Sequence, residues 1–419
     1  MTSYYAATAN PHTAFPPLEG EATADICVIG AGYTGLLTAI ELAENGYSVT
    51  LVEAHRVGWG ASGRNGGQIA TGYQPGMIET AKIVGHEDAK KLWQLSSKAV
   101  ELLQERISRH GIACDLKAGE LYTAAKARHR DWLLREQEFC EGNYAFTGYE
   151  WIDAAELQER VATTRYHGAL LDHTGGHLHP LNYALGLAKA ARSSGVTIYE
   201  KTLVQSIERG KKVTIRCAQG NVTAANVVLA GNAYLEGLET NLEAHFIPVT
   251  TYIMATEPLG QERAQALFRT EACVSDTNYN LDYFRMSADH RLLYGGRDYA
   301  GQSTGDQRKL LRQHMLKTFP QMSDVGIDYI WDGKVAVTRN RLPDIGRLDS
   351  NIYYAHGFSG QGVPLSAIAG KMTAEAIMGE TGNLDVFGRI PHKPFPGGTA
   401  MRVPLLSLAM FYYRLRDLL

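Results

Sequence analysis

Residues 25–54 read DICVIGAGYTGLLTAIELAENGYSVTLVEA. The run Ile26, Cys27, Val28, Ile29 is continuously apolar and stops at Gly30, the pattern of a strand buried on both faces. Leu36, Leu37, Ile40 and Leu42 then recur at helical spacing, and Gly46 ends the helix. A second strand is expected over 48–53. Strand, helix and strand within about thirty residues make one βαβ unit. Between the first strand and the helix lies Gly30-Ala31-Gly32-Tyr33-Thr34-Gly35, a GxGxxG turn. Gly30 permits the tight turn, Gly32 lets a pyrophosphate approach bare backbone, and Gly35 lets helix and strand pack closely. The helix N-terminus offers N–H donors and partial positive charge to phosphate. Glu53, followed by Ala54, ends the second strand, where a carboxylate accepts from a ribose diol and repels a 2′-phosphate.

The turn alone leaves FAD and NAD open. The continuation 58–68, GWGASGRNGGQ, decides between them. A plain nicotinamide domain proceeds here to another helix and strand, whereas this chain presents bare backbone and polar side chains suited to wrapping an isoalloxazine ring.

Working outward, 419 residues with 45% hydrophobic and 20% charged content provide material for two to three domains and argue against disorder. A net charge of −3 leaves no basic footprint for nucleic acid. The five cysteines are scattered, with neither a disulfide framework nor a zinc spacing. No secretory leader and no membrane-spanning apolar run is read, so a cytoplasmic location is expected.

Residues 1–23 read as a polar arm. Helices are expected over about 80–112, 127–141, 155–160, 180–194 and 306–318, with Pro180 at the first position of its helix. Strands are expected over 119–125, 196–199, 211–217, 221–223, 227–230, 246–255, 279–286, 292–296, 329–337 and 352–355. The nucleotide-like segments lie at the start, near 197–231 and at the end. The expected architecture is α/β: a discontinuous FAD-binding Rossmann-like domain (24–80, 155–240, 335–395), an inserted mixed-sheet α+β substrate domain (81–154, 241–334), and a C-terminal tail (396–419). Apolar residues and Arg414 and Arg416 in 403–419 suggest an amphipathic segment packing on its own chain, a membrane surface or another subunit.

These motifs, with the stretches 166–191 (YHGALLDHTGGHLHPLNYALGLAKAA), 278–296 (NYNLDYFRMSADHRLLYGG), 341–363 (RLPDIGRLDSNIYYAHGFSGQGV) and 395–419, resemble the FAD-dependent amine oxidases of the D-amino-acid oxidase superfamily, in particular their γ-glutamylputrescine oxidase-like branch. The resemblance covers essentially the whole chain. It implies oxidation of the primary amine of a γ-glutamylated amine to an aldehyde, with ammonia and hydrogen peroxide released and molecular oxygen as acceptor. A small amino acid (glycine, sarcosine or a D-amino acid) is the alternative substrate. The resemblance places Gly30, Gly32, Tyr33, Thr34, Gly35, Glu53 and Ala54 at the ADP half. Ser62, Gly63, Arg64, Asn65, Gly66 and Gly67 fall beside the pyrophosphate and flavin, and the Val204 backbone at adenine. Ala230 and Gly231 lie under the cofactor, with Gly357, Phe358, Ser359, Gly360, Gln361, Gly362 and Val363 at the flavin's pyrimidine edge. A helix from about 363 would aim its N-terminus at the charge of reduced flavin.

Some relatives bind flavin through a cysteine upstream of the C-terminal glycine motif. Residues 333–338 hold none, so FAD is expected to be noncovalent. The lysine that activates oxygen in those relatives has no counterpart in 292–297; Lys334 is a substitute, and an acceptor other than oxygen stays open.

Hydride transfer from an amine carbon requires a neutral amine with its C–H aimed at the flavin, and an aromatic pocket favours the neutral form. Tyr252, Tyr279, Tyr283, Phe284 and Trp331 fall in the β-rich region expected to form that pocket, each also explicable as core. Arg285, a charge among strand aromatics, reads either as the substrate-carboxylate partner or as an ion pair with Asp282 or Asp298. His356 precedes the glycine loop, near the active site or in the packing. His173, His177 and His179 lack a third ligand at useful spacing, so no metal is expected, although His177 is a candidate for the flavin border.

Overall fold

A computed structural model describes residues 3–296 and 307–399, together with 401, 402, 404, 405, 407, 408 and 412. Two sheets organise these residues. The first has the spatial order Asp344–Asp349, Ile352–His356, Gly220–Leu229, Gly20–Ile29, Val49–Val52, Thr197–Tyr199, with Val204–Glu208 and Val213–Cys217 branching from Gly220–Leu229. Its centre is parallel: Gly20–Ile29 pairs with both Val49–Val52 and Gly220–Leu229. The helices Tyr33–Glu44, His86–Arg109, Pro180–Ser193 and Gly362–Ile377 contribute to the large core on this sheet. The second sheet runs Ile327–Thr338, Phe246–Thr256, Leu292–Gly296, Asp282–Met286, Cys273–Asp276, Lys117–Thr123, Ala169–His177, Gln68–Ile69, with Tyr149–Ile152 branching from Ala169–His177. It is mixed, with Lys117–Thr123 parallel to Cys273–Asp276 and antiparallel to Ala169–His177.

Four of the departures from the sequence reading matter most for the architecture. The arm at the N-terminus carries a short helix, Tyr4–Ala7, capped by the Ser3 hydroxyl, and buries Tyr4 and Tyr5. The helix expected over 80–112 is two helices, Met77–Val84 and His86–Arg109, because Gly85 between them takes φ +84°. The strands expected at 221–223 and 227–230 are one, Gly220–Leu229, held along its length by Gly20–Ile29 and flanked in turn by Val213–Cys217 and Ile352–His356. Finally, Gln68–Ile69 and Ala169–His177 hydrogen-bond into the second sheet, although they fall in segments assigned above to the nucleotide domain. The chain therefore enters the second sheet earlier, by residue 68, and leaves it later, after residue 177, than the three-segment division supposes. Of the expected tail amphipathicity, residues 403, 406, 409–411 and 413–419 lie outside the described residues, as do Asp298 and residues 297–306.

Candidate active site

The fingerprint turn is built as its glycines require. A Cβ on Gly35 would stand 2.0 Å from the Gly30 carbonyl oxygen, and one on Gly30, which has φ +108°, would stand 2.9 Å from the Ala230 oxygen. Helix Tyr33–Glu44 has no side-chain cap of its own. Its first N–H, on Tyr33, instead donates to Ser62 Oγ at 3.0 Å. Glu53 accepts from the backbone N–H of Ala31 and of His55, each at 2.8 Å, and so ties the turn to the end of the second strand. Burial raises its carboxyl above the ordinary value. Carboxylate oxygens carry further lone pairs for a ribose diol. The Thr202 N–H donates to the Glu53 carbonyl, which runs the stretch leading into Val204 beside this turn. Thus Gly30, Gly32, Gly35, Glu53, Ala230 and the approach to Val204 meet at one end of the parallel strands, and Ala54 follows directly. Bare backbone, a helix N-terminus and an acid at the strand end are the donor set that an ADP-ribose moiety needs.

The loop at 58–68 is folded by its own side chains. Asn65 Oδ1 accepts from Gly67 N at 2.8 Å, and Asn65 Nδ2 donates to Ala61 O and Ser62 O at 3.0 and 3.2 Å. Arg64 Nε donates to Trp59 O at 2.7 Å, and its guanidinium lies over the Trp59 ring. A Cβ on Gly63 would be 2.2 Å from Gly58 O, and one on Gly67 2.1 Å from Leu178 O. Opposite stands the second glycine loop. Gly357 (φ +70°) donates its N–H to Asn232 Oδ1, Ser359 N donates to Ala336 O, and Gly360 (φ +102°) has open space where a Cβ would stand. Phe358 is buried beneath the loop, and Gly362 begins helix Gly362–Ile377.

Both loops open onto a cavity of about 580 Å³. Arg64, Asn65, Gly66, Ser359, Gly360, Gln361 and Val363 form its cofactor-loop side. Val249, Thr251, Ser275, Tyr283, Glu120, Tyr122 and Asp172 line it from the second sheet, and Met77, Trp132 and Glu136 from helices. Tyr279, Arg339 and Arg341 also line it, with the Arg341 guanidinium 5.2 Å from the Tyr279 ring centre. A Cβ on Gly66 would meet Tyr283 at 2.7 Å, so this glycine is what lets the loop lie against the sheet. Burial pushes the Glu136 carboxyl up to about 6, opposed by the Met77 and Ile78 N–H groups it accepts from. Burial, aided by the neighbouring Asp172, pushes Glu120 up to about 8 against the hydrogen bond from Ser275.

Of the aromatic candidates, Tyr283 and Tyr279 reach the cavity and Tyr252, Phe284 and Trp331 do not. Alternation explains the first two misses. Thr251 and Tyr283 face the cavity, which turns Tyr252 and Phe284 to the core behind the sheet. Trp331 is buried against Tyr5 and donates its indole N–H to Arg64 O at 2.9 Å, bracing the loop from outside. Arg285 is likewise not at the cavity; of its expected partners, Asp282 is engaged elsewhere and Asp298 lies outside the described residues. It is 4% exposed and donates to Gly66 O at 2.7 Å, Leu178 O at 2.9 Å and the Tyr5 hydroxyl at 3.2 Å. Asp282 instead pairs with Arg165 at 2.8 Å. Arg285 is a brace that takes the carbonyls a glycine loop leaves over. Lys334 alternates with the cavity-lining Gly333 and Val335 and lies over the Tyr234 ring on the other face, away from any role above a flavin.

His356 is also away from the cavity. Its Nε2 bonds Asp344 Oδ2 at 2.9 Å, His245 Nδ1 bonds the same oxygen at 2.8 Å, and the Tyr354 hydroxyl donates to Asp344 Oδ1. Burial opposes, but the two histidines hold the Asp344 carboxyl far below the usual range. The three ligand-type residues come within 4.8 Å of one another, a cluster that sequence spacing did not flag, and its aspartate oxygens are engaged by hydrogen bonds. His177 Nε2 bonds Glu271 O rather than bordering the cavity, His179 caps helix Pro180–Ser193 by accepting from Asn182 N, and exposed His173 pairs with Glu150. Sequence reasoning missed Glu120, Glu136, Asp172, Arg339 and Arg341. Glu120 and Asp172 carried a signal: each is an acid inside an otherwise buried strand pattern.

No helix among the described residues is long and apolar enough to cross a membrane. A family model described as FAD dependent oxidoreductase (DAO) matches residues 25–376. The chain is 43% identical over 418 residues to the gamma-glutamylputrescine oxidoreductase of Escherichia coli strain K12, covering 99% of this chain and 98% of that protein. It is 39% identical to a probable oxidoreductase, OrdL, of Haemophilus influenzae, covering 100% and 97%. Among solved structures, L-proline dehydrogenase from P. horikoshii superposes with TM-score 0.73 at 22% identity over 88% of this chain and 96% of that one. Glycine oxidase from Geobacillus kaustophilus gives TM-score 0.71 at 22% identity over 85% and 95%. The glycine turns, the two loops facing one cavity and these likenesses agree, and the chain belongs to the DAO family of FAD-dependent oxidoreductases.

Proposed function

We propose that this enzyme oxidises the primary amine of a γ-glutamylated amine, γ-glutamylputrescine foremost, and passes the electrons to molecular oxygen. The observation that carries the reading is the cavity itself. It continues past the cofactor loops to Trp132, Glu136 and Tyr149, and it presents Arg64, Arg339 and Arg341 as well as Glu120, Glu136 and Asp172. A long substrate with a carboxylate and ammonium groups matches that length and that double charge. The 43% identity to a protein named for γ-glutamylputrescine supports the same choice.

FAD, held by the two glycine loops, would supply a two-electron acceptor. The protein's part is positioning and desolvation. Tyr283, backed by the sheet and lying against Gly66, forms a fixed part of the cavity wall next to the cofactor loop. Apolar walls from Val249, Val335 and Val337 favour the neutral amine over the ammonium. The carbon gives up a C–H with its electron pair and the nitrogen a proton, leaving an imine. Water adds to the imine to yield aldehyde and ammonia. Oxygen, taking two electrons and two protons, becomes hydrogen peroxide.

The test is anaerobic addition of γ-glutamylputrescine to the purified yellow protein. Rapid bleaching, return of colour with stoichiometric peroxide on admitting air, and release of ammonia are expected. Unchanged flavin bands would refute the substrate. Bleaching without peroxide in air would refute oxygen as acceptor.

A further inference from the structure

We propose that Glu120 is the residue that reads an ammonium group of the substrate, and so sets selectivity for amines carrying that charge at a fixed place. The inference rests on the amine-oxidising reading above and deepens it. Glu120 lies on Lys117–Thr123 in the sheet that floors the cavity, lines that cavity, and is 6% exposed. Its Oε1 accepts the Ser275 hydroxyl at 2.7 Å, while its Oε2 is buried with no hydrogen-bond partner. An unsatisfied carboxylate oxygen is costly in the interior, and one on a cavity-lining residue is a place that a ligand, ion or water would complete.

The neighbour across the ladder sharpens the contrast. Asp172, in register with Glu120, has both oxygens taken, by Thr71 N and by the Thr174 N–H and hydroxyl. Asp172 is thus committed to holding the chain, and Glu120 is left with spare hydrogen-bonding capacity beside a second carboxyl group. Two adjacent carboxylates in a buried wall, one of them half satisfied, attract a cation and repel a carboxylate. The burial-raised carboxyl of Glu120 is consistent with a missing positive partner. A primary ammonium has three donors, one of which would complete the unpartnered oxygen. On γ-glutamylputrescine two groups share that chemistry, the terminal ammonium, whose proton would pass to the Glu120 carboxylate before the neutral amine is oxidised, and the α-ammonium of the glutamyl head, and the experiment separates them.

Wild type and Glu120→Gln are compared on three probes: γ-glutamylputrescine, glutarylputrescine (no α-ammonium) and, as a competitive inhibitor, γ-glutamyl-n-butylamide (no terminal amine). The expected result is a KM for γ-glutamylputrescine raised about tenfold or more, the loss of a charge-assisted hydrogen bond. The same loss should appear on one of the two other probes and not on the other. Loss on glutarylputrescine assigns Glu120 to the terminal amine, and loss on the butylamide assigns it to the α-ammonium. Equal weakening of all three, or of none, would overturn the proposal, because a merely structural role cannot tell the probes apart. Glu120→Asp, which keeps the charge, should retain the wild-type order of the three probes and covers the case of a poorly folded Gln variant. Wild type inert toward γ-glutamylputrescine would instead refute the substrate reading, and the Glu120 comparison is then made on whichever amine bleaches the flavin, against its deaminated alkyl counterpart.

Discussion

Replacing Arg285 by Met separates the brace from a substrate-reading role. The guanidinium donates to the carbonyls of Gly66 and Leu178, both deep between the sheet and the cofactor loop. Met fills a similar volume and offers no donor, so two buried acceptors lose a charged partner. Each such loss costs about 1–3 kcal/mol, and about 3–4 kcal/mol for the pair once partial rehydration of Gly66 at the cavity is allowed for. At an unfolding entropy of roughly 2 cal/mol/K per residue, a chain of this length carries about 0.9 kcal/mol/K, so Tm should fall by about 3–4 °C. Because Gly66 and Gly67 form the cofactor loop, FAD should also be held less tightly. The assay is flavin-release melting, with KM measured for γ-glutamylputrescine and for putrescine, which lacks the carboxylate. The ratio of the two KM values should stay within about twofold of wild type. An unchanged Tm together with a selective rise in KM for the carboxylate-bearing substrate would refute the brace and restore Arg285 as carboxylate partner.

Other outcomes follow from the same geometry. Gly35→Ala places a methyl carbon 2.0 Å from the Gly30 oxygen, a backbone atom with no room to yield, so the purified variant should lack flavin absorbance; a yellow, folded variant would contradict the packing. His179 is held neutral: burial, then the Arg285 charge, lower it to about 4, and its unprotonated Nδ1 caps a helix. The unfolded chain takes up that proton near pH 6.5, so this contribution to stability is present above 6.5 and lost as pH falls toward 4. His179→Asn, which caps without titrating, should flatten the fall of Tm over that window. Glu120 has the opposite sign. Its carboxyl is raised to about 8, so the fold is favoured at low pH and loses that advantage as pH rises from the ordinary carboxylate range through 8, and Glu120→Gln should remove this slope in Tm.

The nucleotide half of the fold was legible because its signals are local. A four-residue apolar strand, glycines whose positions are dictated by backbone contacts, and a helical apolar stripe all lie within thirty residues. What lies across a cavity is not local. Period two correctly puts Arg285 on the same face as Tyr283, yet its partners, Gly66, Leu178 and Tyr5, come from segments 219, 107 and 280 positions away. Aromatic content drew attention to Tyr252 and Trp331, whereas the residues that face the cavity from those strands are the smaller Val249, Thr251, Val335 and Val337. The acids of the wall were visible as breaks in buried strand patterns, but only the ladder that sets Glu120 opposite Asp172 turns two such breaks into one site. The division into domains was blurred for a related reason: Gln68–Ile69 is too short to announce itself, and its sheet is decided by a partner more than a hundred residues later.

The register that seats Gly20 against Gly220 also sets a timetable for the chain at the ribosome. At about 5–20 residues per second, roughly 10–40 s of translation separate the two strands. Through that interval the strand Gly20–Ile29, with its buried end Ile26–Ile29, has only Val49–Val52 to its side and an unpaired edge on the other. The outer neighbour, Ile352–His356, and the helix Gly362–Ile377 emerge later still. Capture of the yellow cofactor is therefore a late event in synthesis, and a message cut short before codon 362 should yield a colourless product dependent on chaperones however well its first two hundred residues are made.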